Sequence, residues 1–143
     1  MQEAVFGLAG KLFGLEFVET TDIQKYHADV KTYEIYEGEN FKALLYADYH
    51  PRKGKRAGAW MTSFKNQYIK NGENHRPHIS VVCNFTKPTA ETPSLLTFNE
   101  VTTLFHEFGH ALHGILANTQ YPNLSGTSVK WDFVELPSQF LEN

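Results

Sequence analysis

The chain has 143 residues, 41% hydrophobic and 20% charged, with a formal charge of −3 at pH 7. That length suits one domain with a core large enough to fold without covalent staples, and the composition excludes disorder, collagen and coiled coil. The charge offers no general attraction to nucleic acid or an anionic membrane, no stretch reaches the roughly 20 apolar residues that span a bilayer, and Cys83, the single cysteine, can neither close an intrachain disulfide nor build a thiol-based zinc site.

The N-terminal "MQEAVFGLAGKLFGLEF" carries an acid where a secretory signal needs basic residues, and Lys11 interrupts its apolar run. Val5, Leu8, Leu12 and Leu15 recur at helical spacing and Gly14 sits where the pattern ends, so an amphipathic helix is expected over 1–15. This N-terminus does not read as a signal and the chain has one cysteine, so a reducing, cytoplasmic setting is the default expectation, with a periplasmic one as the alternative. Residues 30–49 are rich in β-branched and aromatic types and are split by "EGEN", which predicts an antiparallel hairpin with Gly38 in its turn. Residues 51–77 hold Pro, Gly and Lys clusters and are expected to be mostly loop, with at most one short helix. Within them "PRKGKR" is locally basic; it could attract the free carboxylate of a short peptide, although such runs are more often solvated loops.

"HISVVCNF" at 78–85 reads as a strand. It is either an ordinary core strand or an exposed edge, Ser80, Val81, Val82, Cys83 and Asn84, along which an extended peptide could pair. Cys83 is expected to be a packed thiol. After the connector "TKPTAETPS", Thr97 and Glu100 form a capping box, so a helix is predicted from there to about Ala117. Gly109 and Gly114 each cost a helix interior about 1 kcal/mol relative to Ala, which points to close approach of another backbone. "WDFVELPSQFLEN" resumes a helical pattern over 131–143, in conflict with Pro137, which should kink it unless it falls in a first turn.

The strongest local signal is "HEFGH" at 106–110. Residues four apart on a helix lie one turn apart on one face, so His106 and His110 can both reach one metal ion at about 2.0 Å. Glu107 projects from the adjacent flank, where it can take a proton from a metal-bound water without being a ligand. The rival reading is two histidines bonded to neighbours in a core; the capped helix and the apolar Leu104, Phe105, Phe108 and Leu112 around the polar positions favour the metal. A His2Glu site needs a carboxylate from a second helix, and Asp132 and Glu135 are the candidates. Asp132 has the look of an N-cap, which makes Glu135 the better ligand. His113 is about 10 Å along the axis from His106, too far to share one ion, and is expected to pack or to stand behind the ligands with Asp132.

"FHEFGHALH" followed by "GTSVKWDFVELPSQFLEN", with "KRAGAWM" and "RPHISVVCNF" upstream, resembles the thimet oligopeptidase family of zinc metallopeptidases, most closely its bacterial peptidyl-dipeptidase branch. The resemblance covers nearly the whole chain. It implies one Zn2+ per chain held by His106, His110 and Glu135, with Glu107 as general base, and it favours the free-edge reading of 80–84. The fold class expected is α+β, a helix-rich zincin-like arrangement of an HExxH helix, a second ligand helix and a small antiparallel sheet. This would be a partial catalytic domain, 1–143, of a larger, mostly helical peptidase. The partners implied are short peptides and the rest of the catalytic domain, with no nucleic acid and no membrane. The activity implied is release of C-terminal dipeptides from short peptides; the alternatives are an oligopeptidase A-like endopeptidase or a zinc-binding, catalytically incomplete module. Family members also use a histidine and tyrosines well downstream of the second ligand helix, beyond Asn143, so residues 1–143 alone are expected to be limited in activity.

Overall fold

The computed structural model describes residues 2–143. Helix α1 spans Gln2–Phe13, and Gly14, at φ 66°, turns its N–H back onto the Gly10 carbonyl at 2.9 Å and ends it. Met1, included in the expected helix, lies outside the described residues. Leu15 is not helical: it opens strand β1, Leu15–Thr20, which the sequence did not disclose. The buried side of α1 also differs from the expected stripe. Val5 and Ala9 are covered while Leu12 is 51% exposed, because Phe6 stacks on Phe17 of β1 at 4.1 Å between ring centroids and fixes the roll of the helix.

The expected hairpin is present as β2, Lys31–Glu37, and β3, Asn40–Asp48, with Gly38 at φ 58° in the two-residue turn. Most of the stretch 51–77 is loop, as expected, but it is interrupted by strands and holds no short helix. It contains β4, Trp60–Lys65, and a small hairpin of β5, Tyr68–Lys70, and β6, Glu73–His75. Strand β7, His78–Val82, follows; the backbone stays paired a little further, with Cys83 N–H on the Asp48 carbonyl and Phe85 N–H on that of Tyr49, each at 2.8 Å.

The main sheet has the order β1-β2-β3-β7-β4. It is mixed, not wholly antiparallel, because β3 and β7 run parallel. Strand β7 therefore has neighbours on both sides, with Leu45 opposite Ile79 in β3 and Met61 opposite Val81 in β4. Ser80, Val81, Val82 and Cys83 are buried, and Asn84 donates its side-chain amide to the Arg56 and Gly58 carbonyls. The free-edge reading of residues 80–84 is thus corrected: the edge belongs to β4. Local pattern marks a strand as buried or amphipathic, but only pairing decides which strand is last, and the pairing partner lay in a stretch whose Lys and Gly content masked it.

Helix α2, Phe98–Ile115, lies across β4 and β7. Its capping box is formed, with Glu100 N–H on Thr97 Oγ1 at 3.3 Å and Thr97 N–H on Glu100 Oε2 at 2.7 Å. At its other end the Arg76 guanidinium donates to the Ile115 and Ala117 carbonyls at 2.6 and 2.9 Å, satisfying acceptors that a helix terminus leaves open. Leu104, Phe108, Ala111 and Ile115 recur at helical spacing and bury against Ile79 and Val81 of the sheet. A 3-10 turn, Pro122–Leu124, follows, then the second helical region. That region is two helices, α3, Trp131–Val134, and α4, Leu136–Glu142, with Pro137 in the first turn of α4, where its missing N–H costs nothing. Among the described residues the helices and the strands hold nearly equal numbers of residues, so the expected helix-rich balance gives way to a plain α+β arrangement. Among the described residues no helix is long and apolar enough to cross a membrane.

Candidate metal centre

The centre is built where α2 meets α4. A Cβ on Gly109 would stand 2.6 Å from both the Pro137 carbonyl oxygen and the Ser138 Cα, so only glycine lets the two backbones touch there. Gly114 is hemmed in too: a Cβ on it would meet Ile79 Cδ1 at 2.7 Å, and one on Gly126 would stand 3.0 Å from the Gly114 Cα. The two glycines of the motif helix thus have the close neighbours that their unfavourable propensity called for. The contact at Gly109 sets the distance between the histidines of α2 and the carboxylate at the α3–α4 junction.

Glu135 occupies that junction with φ −84° and ψ −7°. Its Oε2 lies 3.2 Å from His106 Nε2 and 3.1 Å from His110 Nε2. The three ligand atoms lie within 4.8 Å of one another. The two imidazoles stand nearly perpendicular, 4.9 Å apart between centroids. Glu142, at the end of α4, places Oε2 at 2.7 Å from His106 Nδ1. A proton on Nδ1 donates to that carboxylate and leaves the Nε2 lone pair facing the centre, the arrangement by which a carboxylate orients a metal-binding histidine. Ser138, fully buried, donates its hydroxyl toward Glu135 Oε2 at 2.8 Å.

Electrostatics suit the donor set. The Ser138 hydrogen bond, aided by the charges of both histidines, holds the Glu135 carboxyl below its ordinary value against a weaker effect of desolvation. Burial pushes the His110 pKa down, with Glu135 opposing, so its imidazole favours the neutral form that binds metal. Two imidazole nitrogens and one carboxylate oxygen converging on a point are the ligands that Zn2+ takes in sites that keep a position open, so the residues present fit that ion.

Glu107 lies beside this cluster, 9% exposed. Burial raises its pKa, opposed by His106 and by the nearby backbone N–H of Met61. The base position therefore lies beside the free edge strand β4. His113 is outside the cluster: it packs edge-on to Phe133 at 6.0 Å, and its buried Nδ1 has no partner among the described residues. Asp132 is exposed in the first turn of α3, whose N-cap is Lys130, so it neither caps that helix nor backs a ligand. Its place behind the ligands is taken by Ser138 and Glu142. Sequence reading missed both, although 135, 138 and 142 share one helical face at spacings of three and seven. It also missed the Met61 amide, which no residue-type pattern announces.

The basic run is half committed to structure. Arg52 grips both oxygens of Asp48 at 2.7 and 2.9 Å, and Lys55, its side chain 4% exposed, donates to Asp48 Oδ1 and to the Asp48, His50 and Cys83 carbonyls. Burial opposes ionisation of Asp48, but Arg52, Lys55 and Tyr26 together outweigh it and hold the carboxyl at about 2. The Cys83 thiol is pushed up to about 12 by burial and then by Glu107, which makes it a packed group and not a nucleophile.

The sequence pattern of peptidase family M3 matches residues 1–143. Dipeptidyl carboxypeptidase of Salmonella typhimurium is 48% identical over 144 residues, covering 100% of this chain and 21% of the relative; the Escherichia coli protein of the same name gives the same figures. Oligopeptidase A of Escherichia coli is 41% identical over 142 residues, covering 97% of this chain and 21% of that protein. The chain spans about a fifth of the length of these relatives.

Proposed function

The chain belongs to peptidase family M3, and from that membership we propose that it supplies the zinc-binding and proton-transferring part of a metallopeptidase that hydrolyses short peptides and releases C-terminal dipeptides. The observation that carries the reading is the convergence of His106, His110 and Glu135 within 4.8 Å beside a buried Glu107. His106, His110 and Glu135 would hold one Zn2+, which when bound would lower the pKa of a water toward about 7 and polarise the scissile carbonyl. Glu142 keeps His106 in the tautomer that presents Nε2.

Glu107 takes the proton of the attacking water on its carboxylate and returns it to the leaving amine. Its raised pKa brings the carboxyl nearer neutrality, where a group that must both accept and give a proton works best. An extended substrate pairs with the free edge of β4, the strand whose Met61 N–H lies near Glu107, and this brings the peptide bond to the base. The dipeptide-releasing specificity draws on the 48% identity to two proteins named dipeptidyl carboxypeptidase. A cytoplasmic setting is part of the same proposal; one relative, from Arabidopsis thaliana, is named a probable cytosolic oligopeptidase A.

The test is Glu107→Gln assayed on N-blocked peptides with product masses recorded. The expected result is unchanged zinc content with hydrolysis lowered about 10²- to 10⁴-fold. Undiminished turnover would overturn the role of Glu107, and internal cuts in place of dipeptides would assign the oligopeptidase A-like activity.

A further inference from the structure

We propose that Ser138 is the positioning residue of the third ligand, its hydroxyl locking the Glu135 carboxylate between His106 and His110 before any metal arrives. The proposal rests on the zinc reading and adds to it the device that makes the site ready.

A glutamate side chain is long and its carboxylate freely rotating, so fixing it as a ligand costs rotamer entropy unless something already holds it. Glu135 is more than a third exposed and sits at a break between two short helices. Ser138 supplies the hold. Its Oγ is 2.8 Å from Glu135 Oε2, the same oxygen that faces both imidazole nitrogens. Ser138 is itself immobile, 0% exposed, with its Cα against the bare Cα of Gly109. Gly109 lies between the two histidines on α2, so the hydroxyl has a fixed position in the frame that carries the other ligands.

The hydroxyl has a second acceptor, the Glu135 carbonyl at 2.9 Å, and only one proton to give. A charged carboxylate at the shorter distance is the stronger acceptor.

The experiment compares zinc affinity, by competition with a chromophoric chelator, and the thermal unfolding of metal-free protein for wild type, Ser138→Ala and Ser138→Thr. Expected is a roughly 10- to 100-fold weaker zinc affinity in Ser138→Ala, the usual cost of losing a group that orients a ligand, with metal-free unfolding close to wild type and affinity restored by Thr. A purely helix-terminal role for the hydroxyl would instead lower the metal-free unfolding temperature and leave zinc affinity unchanged, and that result overturns the proposal. Wild type that binds no zinc would overturn the underlying metal reading, a different failure from equal binding by wild type and Ser138→Ala. If Ser138→Ala does not fold, NMR of the zinc-loaded wild type decides: a slowly exchanging Ser138 hydroxyl proton with a cross-peak to the Glu135 γ-methylene supports the lock, and its absence overturns it.

Discussion

Two clusters of charge lie on this fold, and they differ in what their polar atoms face. Around Asp48 every group is answered: the carboxylate meets Arg52, Lys55 and Tyr26, and Lys55 is further used by three backbone carbonyls. Around Glu135 the Nε2 atoms of His106 and His110 both converge on one carboxylate oxygen, Glu135 Oε2, an arrangement that a single cation could share. A closed knot of matched charges maintains structure, whereas converging ligand atoms make a place for an ion. Burial follows the same division, since the Asp48 side chain is 2% exposed and that of Glu135 is 37% exposed.

The largest expected effect breaks the closed cluster. Asp48→Ala leaves Lys55 buried without its counter-charge and should destabilise the chain by about 3–5 kcal/mol in urea unfolding. Zinc affinity per folded molecule should be unchanged, and a parallel loss of both would erase the distinction between the two regions. Next comes Gly109→Ala. Its methyl gains helix propensity of about 1 kcal/mol but meets the Pro137 carbonyl and the Ser138 Cα at 2.6 Å, so strain of about 1–3 kcal/mol should outweigh the gain and weaken zinc binding together with stability. A variant that is more stable and binds zinc as well as wild type would show that the helices are not set by this contact.

Acid probes the closed cluster more gently. The folded pKa of Asp48 is held at about 2, below its ordinary 3.8. A carboxyl depressed on folding adds stability above the unfolded value and loses it as pH falls through the folded one. Asp48 therefore contributes about 2 kcal/mol that disappears between about pH 4 and pH 2, and the stability gap between wild type and Asp48→Asn should narrow by that amount in the same window. The smallest change sharpens the open cluster. Glu142→Gln keeps a hydrogen-bond acceptor for His106 Nδ1 but removes its charge, and zinc affinity should fall about tenfold with metal-free stability within about 0.5 kcal/mol of wild type.

The contrast also marks what could be read from the chain. Signals carried by a few neighbouring residues survived: the Thr97 capping box, the Gly38 turn, the i, i+4 histidines and the glycines awaiting a close neighbour all appear in the structure. The family resemblance read from "FHEFGHALH" and the segments around it likewise holds. Long-range pairing was not legible. Strand β4 is short and follows a run of Lys, Arg and Gly, so it passed for loop, and with it hidden β7 could be mistaken for an edge. Asp132 looked like a cap because its residue type favours that role, but the helix has already begun at Trp131, with Lys130 in the capping position. Ser138 and Glu142 were legible only as a stripe with Glu135, and the stripe gains meaning once Gly109 brings α4 onto α2.

The central claim is that three side chains from two helices make one metal site. The direct measurement is zinc content and affinity of the purified chain, by elemental analysis and chelator competition at neutral pH, for wild type, His110→Ala and Glu135→Ala. The predicted result is one zinc per wild-type chain and, in both variants, an affinity reduced by more than the roughly 100-fold that a supporting residue can cost, with circular dichroism unchanged. A folded wild type without zinc, or zinc held equally well by both variants, would contradict it.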